Sequence, residues 1–522
     1  MSKMHLLPTP LALLTVLAVL TLSPRIEAYS KAFSEDTIDN AAKSALEAFQ
    51  TPGISVAIVH DNTLIYSKGF GYADLENKLK VTPSTYFRLA STSKAFTAAA
   101  LAILVDEKKL AWEDLVIDHL PQFRLQDAYA TMNFTVRDLL THKSGLVSGA
   151  GDSMIWPEPS GFSRKEVVSK LKHFTPANQF RARYAYSNVL YITAGELIEA
   201  VTDESFDEFI NDRLFKPLDM ACYAGQMPEA AVVNSAKPYG HNEARGIYAI
   251  PRNAIYGDAL MSAAAGGMVC NAQDMAKWIQ ALLSQSNLPF SESQLDNMWR
   301  SETILGVSET DTDWDGTHFR TYGLGWRISN YGRYKLVSHT GTLSGYQAYV
   351  ALLPELNLGA VVLNNGSNYG ARGAVMQTIL KMFVDDDPKD WIREYQSYQK
   401  EREEAYLARA REPEPLLEMT LSLDDIIGEY NDAWFGAVSI KKSDQGVRFI
   451  SSRMTTLRGT LEPFQERSFK VVWDNQNAAS DAFLHFDADV LRNIKGFTMH
   501  PFTVSERENH AWRDMRFVKQ TD

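Results

Sequence analysis

The sequence predicts an α/β lobe with an all-α lobe inserted into it, followed by a small all-β C-terminal domain. Three observations carry this expectation. β-Branched runs flank Asp61-Asn62 and return after residue 321, residues from about 90 to 320 repeat their apolar positions mostly at helical spacing, and short alternating runs fill residues 424–520. Strands at both ends of one segment share a sheet most simply when the helices between them form an insertion, so a cleft is expected where the two lobes meet.

Taken in order, the chain opens with Lys3 and His5, an apolar run from Leu11 to Leu22, Pro24 and the small residue Ala28. This is the layout of a secretory signal cleaved after residue 28. An uncleaved anchor is the alternative, but a run this short, flanked by Pro8, Pro10 and Pro24, falls below the ~20 residues a span requires. The mature chain, residue 29 onward, is therefore expected to be exported, periplasmic or secreted, with no stable membrane span. GISVAIVHDNTLIYSKGFGYA (53–73) reads as a hairpin turning at Asp61-Asn62. AFTAAALAILVDEKKL and NVLYITAGELIEAV read as apolar helices, and YGLGWRIS, RYKLVSHT, YQAYVALLP and LGAVVLNN as successive strands. DDDPKD, the polar helix WIREYQSYQKEREEAYLARAR and EPEP then mark a boundary. The expected divisions are a main domain over 29–385, a charged helical linker over 386–423 and a β sandwich or barrel over 424–522. Trp434, Phe435, Trp473, Phe483 and Phe497 are read as the core of that last domain rather than the lining of a ligand cavity.

Composition narrows the function. With 522 residues, 45% apolar and 22% charged, the chain buries large cores, and a net charge of −12 makes nucleic acid a poor partner. Two cysteines exclude a disulfide scaffold and a thiolate cluster; one bridge, Cys222 to Cys270, is possible, although Cys270 reads first as a small buried residue before a helix cap at Asn271 and Asp274. No two histidines lie within one helical turn and H-E-x-x-H is absent, so neither metal nor cofactor is expected. The expected partner is a small molecule or peptide. Oligomeric state is not legible.

A serine three residues before a lysine on a helix places hydroxyl and amine on one face, where a desolvated amine takes the serine proton. Four such pairs occur: Ser91/Lys94, Ser169/Lys172, Ser397/Lys400 and Ser439/Lys442. Three lie in polar helices or on an alternating strand. Ser91 alone opens an apolar helix, where its own N–H meets the positive end of the helix dipole, although a plain N-cap serine fits there as well. Tyr186-Ser187-Asn188 starts a second apolar helix; a phenol beside an amine shuttles a proton and an Asn amide holds a carbonyl. Of two [Lys/His]-[Ser/Thr]-Gly triplets, Lys143-Ser144-Gly145 looks like a helix C-cap, whereas His339-Thr340-Gly341 ends a strand with glycine where a backbone approaches closely.

These three motifs, in this order and at these separations, resemble the serine β-lactamase and penicillin-binding protein superfamily, in the version shared by class C β-lactamases, D-alanyl-D-alanine carboxypeptidases, D-aminopeptidases and related esterases. LLTHKSGL (139–146), LFKPLDM (214–220), AAAGGMVCNAQDMAKW (263–278) and YGLGW (322–326) resemble it too, over about residues 33–385. The resemblance implies a β-lactamase-like antiparallel sheet with flanking helices. It implies Ser91 as acylated nucleophile, Lys94 as its base partner, Tyr186 as proton shuttle, Asn188 on the substrate amide, His339, Thr340 and Gly341 along the sheet edge, and the N–H groups of Ser91 and Thr342 as oxyanion hole. Residues 424–520 resemble the lipocalin-like domain appended to some of these hydrolases.

Class C β-lactamases usually carry Lys where this chain has His339, and an imidazole attracts a substrate carboxylate less firmly than an ammonium. The expected activity is thus an exported serine hydrolase acting through an acyl-enzyme on D-amino-acid-containing peptides, cell-wall fragments or small esters, and weakly on β-lactams. The alternative is a non-hydrolytic sensor or scaffold whose β domain binds a ligand or partner. E-x-x-L-N and G-x-S-x-G are absent, which argues against class A deacylation and an α/β-hydrolase elbow.

Overall fold

In the computed structural model the described residues are 33–251, 261–385, 389–409, 413–475, 477, 481–502 and 510–520. The expected signal segment lies outside them. Strands β1 (Gly53–His60), β2 (Thr63–Asp74), β3 (Leu79–Lys80), β4 (Thr303–Leu305), β5 (Arg320–Tyr322), β6 (Arg327–Tyr331), β7 (Tyr334–Leu343), β8 (Tyr346–Leu353) and β9 (Leu358–Asn364) form one antiparallel sheet, ordered β3-β2-β1-β9-β8-β7-β6-β5-β4. The β1–β2 turn follows from Asp61 and Asn62, which take φ of 47° and 62°, the double left-handed step of a tight hairpin. β1 then pairs with β9, so the first and last strands of the lobe lie side by side and the helices between them project as an insertion.

One face of the sheet is covered by helices α1 (Glu35–Ala48) and α5 (Gly370–Val384), which bury Ile38, Ala42, Val375 and Ile379 against it. The other face carries α4 (Ala272–Ser284), capped by Asn271, whose side chain accepts the Asp274 N–H, while α2 (Ser93–Asp106) and α3 (Asn188–Thr202) pack on each other in the helical lobe. In α2 every residue from Ser93 to Leu104 is buried, as expected of a helix apolar on all sides. Cys222 and Cys270 are joined, with Cα atoms 4.5 Å apart, and the bridge ties a loop of the helical lobe to the short strand that pairs Cys270 with Phe87.

Within the segment expected as a linker, one helix packs on the main domain. Helix α6 (Trp391–Leu407) buries Trp391 and Ile392, and its Tyr395 and Tyr398 rings lie 4.8 and 5.3 Å from that of Trp314. Only its first turns carry these anchors, which is why its charged remainder shows no apolar periodicity.

Eight further strands close into a barrel in simple up-and-down order: β10 (Gly428–Asp432), β11 (Gly436–Ser443), β12 (Gly446–Ser451), β13 (Arg458–Gln465), β14 (Ser468–Trp473), β15 (Ala482–Ala488), β16 (Ile494–Pro501) and β17 (Arg516–Lys519). Trp434, Phe435, Trp473 and Phe497 are buried in its core, with Phe497 stacked 4.5 Å from Phe517. Phe483 differs: it is half-buried and packs on Phe464 and Phe502, because alternation along β15 turns it away from Leu484 and Phe486. The barrel leans on residues 153–175 of the helical lobe. Trp434 meets Phe174 at 4.9 Å, and Arg453 pairs with Glu166 at 2.8 Å.

Candidate active site

Ser91 lies in a 3-10 turn, Ala90–Thr92, that leads from the strand Phe87–Arg88 into α2. Ala90 takes φ of +49°, a left-handed conformation that costs a non-glycine residue about 1 kcal/mol and recurs at functional turns. A buried ion pair, Arg88 to Glu158 at 2.7 Å, fastens this turn to the loop that carries Trp156 and Pro157. Strand β7 passes directly behind it. A Cβ at Gly341 would come within 2.3 Å of Leu89 O and 2.9 Å of Ala90 Cβ, so only glycine lets the strand approach the nucleophile turn.

One helical turn on, Lys94 is fully buried. Its Nζ lies 3.4 Å from Ser91 Oγ, 2.7 Å from Asn188 Oδ1 and 2.6 Å from Ala265 O. Burial drives its pKa well below the usual lysine value, reinforced by Arg327 and opposed by Asp152. A neutral amine has two N–H groups; with both spent on Asn188 and Ala265, the lone pair is left for Ser91. The Lys94 amine also sits over the Tyr186 ring, 4.7 Å from its centroid.

Tyr186 is held the opposite way. Burial raises its pKa, against the influence of Arg327 and of the adjacent Ser91 hydroxyl. Of the two groups beside Ser91, therefore, the amine is the one able to accept a proton at neutral pH, while the phenol stays protonated and donates. Its hydroxyl makes no hydrogen bond of ordinary geometry to the described residues, which leaves it available to a leaving group. The ring rests on His142, 4.2 Å away. His142 Nδ1 accepts the Ser187 N–H at 3.1 Å, so the LLTHKSGL stretch supports Tyr186 from below.

The cleft, of about 560 Å³, is lined by Ser91, Tyr186, Asn188, Thr340 and Thr342, with Asp152, Trp156, Tyr184, Arg327 and Asn477 completing its walls. Thr342 donates its hydroxyl to Gln347 Oε1 at 3.0 Å. His339 is fully buried and lies behind this lining. Its Nδ1 is 2.8 Å from the Thr340 carbonyl, which only accepts, so Nδ1 carries the proton and Nε2 accepts from Tyr322 OH at 2.9 Å. Burial, with Arg327 and Lys94 nearby, keeps the ring neutral. The structure thus brings Ser91, Lys94, Tyr186, Asn188, Thr340 and Thr342 together, sets Gly341 against the nucleophile turn, and places His339 one layer beneath. Among the described residues no three His, Cys, Asp or Glu side chains converge where a metal would sit.

Three contributors were not picked out from the sequence. Asp152 Oδ2 accepts from Asn188 Nδ2 at 2.9 Å, and burial raises its pKa to about 6 despite Asn188 and Lys94. Arg327 is the fixed cation that His339 is not: it donates to Thr340 Oγ1 at 3.1 Å and makes no ion pair among the described residues. It is the residue directly after the YGLGW stretch, so position beside a motif was the one signal available. Asn477 comes from the barrel, its Oδ1 accepting from Tyr248 OH at 2.9 Å and its carbonyl accepting from Ser344 Oγ at 3.0 Å. No local pattern announces a contact of that range.

The Asp152 carboxylate stabilises the protonated form of Lys94, and Lys94 acts only when neutral. Activity is therefore lost as pH falls through the Lys94 pKa, and removing the anion lowers that pKa further. The Asp152→Asn variant is expected to show the acid limb of kcat/KM displaced to lower pH. A pH-rate profile with the limb unmoved, or displaced upward, would contradict this coupling.

The family model described as Beta-lactamase matches residues 38–380, and a domain of unknown function (DUF3471) matches residues 414–514. The chain is 29% identical over 411 residues to Unguisins hydrolase ungD' of Aspergillus campestris (strain IBT 28561), covering 74% of each. It is 26% identical over 336 residues to Protein flp of Staphylococcus aureus (strain NCTC 8325 / PS 47), covering 64% of this chain and 63% of that one. Among solved structures, the octameric penicillin-binding protein homologue from Pyrococcus abyssi aligns with a TM-score of 0.60 at 23% identity over 93% of this chain and 100% of that one. The D-amino acid amidase from Ochrobactrum anthropi SV3, complexed with L-phenylalanine amide, aligns at 0.55 and 22% over 66% and 98%. A match across most of the chain shows that the chain belongs to the beta-lactamase family.

Proposed function

We propose that this chain is an exported serine hydrolase that works through an acyl-enzyme on Ser91, acting on amides or esters whose leaving group carries a carboxylate, D-amino-acid-containing peptides among them. The observation that carries this reading is the buried Lys94 amine 3.4 Å from Ser91 Oγ, its pKa driven down by burial, beside Tyr186, whose pKa burial drives up, in an open cleft. Lys94 takes the seryl proton as Oγ attacks the carbonyl. The developing oxyanion meets the N–H groups of Ser91 and Thr342. Tyr186 protonates the departing amine or alkoxide and is reprotonated from Lys94. Water then reverses the path, losing its proton through the same pair, and releases the acid.

Arg327 supports the carboxylate preference, as a half-buried cation with no ion pair among the described residues, at the start of β6 beside the strand along which substrate lies. The hydrolase name of one relative and the amidase name of one structural neighbour agree with the hydrolase reading. Export is supported by the N-terminal layout and by the buried Cys222–Cys270 bridge, which forms in oxidising compartments. No helix among the described residues is long and apolar enough to cross a membrane. The barrel reads as a lipocalin-like meander whose interior is filled by aromatic side chains and whose Asn477 reaches the cleft.

The test is a substrate panel on wild type and Arg327→Met. Wild type is expected to hydrolyse N-acyl-D-amino-acid substrates with a free carboxylate. The variant is expected to lose about 10- to 100-fold in kcat/KM on them, the span of a charged hydrogen bond, and far less on a neutral ester. Equal loss on both would remove the carboxylate preference, and binding without turnover of any panel member would leave a sensor.

A further inference from the structure

We infer that a second cavity, which shares Arg327 and Thr340 with the cleft, is a subsite for a leaving group with a basic side chain, in which the side-chain ammonium pairs with Asp315 among the rings of Trp314, Tyr395 and Tyr398. This rests on the acyl-enzyme reading above and adds to it the chemistry of the departing residue.

The cavity, of about 370 Å³, lies on the face of the sheet covered by α5 and α6, bounded by the helix Glu309–Asp315. Arg327 and Thr340 line both it and the cleft, so the guanidinium proposed to hold a substrate carboxylate forms part of the wall of each. A leaving amino acid anchored there has its side chain directed toward one space or the other. The second, of about 370 Å³, has room for a long side chain.

Its chemistry selects that side chain. The cavity has two carboxylates. Asp311 is engaged, by Arg320 at 2.6 Å and by the Ser308 hydroxyl at 2.7 Å. Asp315 is not: its Oδ1 accepts from the neutral Gln377 amide, and it makes no ion pair among the described residues. Lys381 and Arg320 both influence it electrostatically, but Lys381 bridges Asp385 at 3.1 Å and Arg320 pairs with Asp311. Burial raises the Asp315 pKa to about 6, against the pull of Gln377, Lys381 and Arg320, so the carboxylate is ionised at neutral pH with no ion-pair partner of its own among the described residues. Around it the Trp314 ring lies 4.8 Å from Tyr395 and 5.3 Å from Tyr398, and Tyr349 and Tyr369 complete the wall. A carboxylate without an ion pair, set among aromatic rings, is an arrangement that suits an ammonium or guanidinium group, through Coulomb attraction and cation–π contact together. An acidic side chain would meet Asp315 with like charge, and an aliphatic one would leave it unpaired.

The experiment compares N-acyl-D-alanyl dipeptides ending in lysine, norleucine or glutamate, in D and L forms, on wild type, Asp315→Asn and Trp314→Leu, with enzyme concentration set by fluorophosphonate titration. The readout is the kcat/KM ratio of lysine to norleucine or, where turnover is slow, the ratio of concentrations that halve the labelling rate. Wild type is expected to favour lysine by about tenfold or more, with glutamate poorest. Asp315→Asn should bring the ratio close to one, and Trp314→Leu, which leaves the carboxylate intact, should lower it part of the way. A wild-type ratio of one or below, or a ratio unchanged in both variants, overturns the inference. Failure of the titration itself overturns the acyl-enzyme reading, so the two failures are distinguishable.

Discussion

Replacing Lys94 by methionine is expected to lower kcat/KM by about 10⁴-fold, the upper end of what a positioned proton acceptor contributes. Methionine matches the length and unbranched shape of the side chain, so the buried volume is kept and the amine is removed. The Ser91 hydroxyl then has no base within reach: Asp152 is turned to Asn188, and His142 spends its Nδ1 lone pair on the Ser187 N–H. Asn188 Oδ1 and Ala265 O lose their donor, which costs roughly 1–3 kcal/mol each when such groups stay dry, so thermal stability is expected to fall as well. Kinetics on the folded fraction separates the two effects. An active Lys94→Met enzyme with near-normal kcat/KM would show that another group deprotonates Ser91.

The second large effect is expected for Tyr186→Phe, a loss of about 10² to 10³ in kcat on amides with little change in folding. The phenol makes no ordinary hydrogen bond that the fold depends on, and the phenylalanine ring keeps its packing on His142 and under the Lys94 amine. What disappears is the proton for the leaving group. Amides, whose nitrogen must be protonated to depart, are therefore expected to suffer more than esters with acidic leaving groups. Equal losses on an anilide and on a nitrophenyl ester would contradict the donor role, and unchanged kcat on both would remove Tyr186 from the mechanism.

Where the chain's local chemistry is self-contained, the architecture was readable in advance. The Asp61-Asn62 turn, the all-apolar α2 and the Asn271 cap each follow from a few neighbouring residues, and the return of strands after residue 321 is enough to pair β1 with β9. The reading weakened where long-range packing decides. Helix α6 looks like a solvated linker because its anchors sit in its opening turns, and nothing in its own sequence reveals the Trp314 ring it meets. The candidate site divides in the same way. Ser91, Tyr186, Asn188, Thr340 and Thr342 lie in short motifs and meet in one cleft, with Lys94 buried directly behind Ser91. Asp152, Arg327 and Asn477 reach it from a glycine-bordered loop, a neighbouring strand and a separate barrel, where residue type alone carries no message. His339 shows the limit of a motif: its position on β7 was legible, but the alternation that directs its ring away from the cleft and onto Tyr322 depends on the register with β8 and on the close approach of Gly341 to the nucleophile turn.

The central claim is that one seryl oxygen, made nucleophilic by an uncharged lysine, carries the acyl group. Intact mass followed by peptide mapping after exposure to a fluorophosphonate tests it directly. A single adduct on the peptide containing Ser91, formed at a rate that rises with pH and absent from Ser91→Ala, is the predicted result; no adduct, or one of equal yield in Ser91→Ala, would contradict the account.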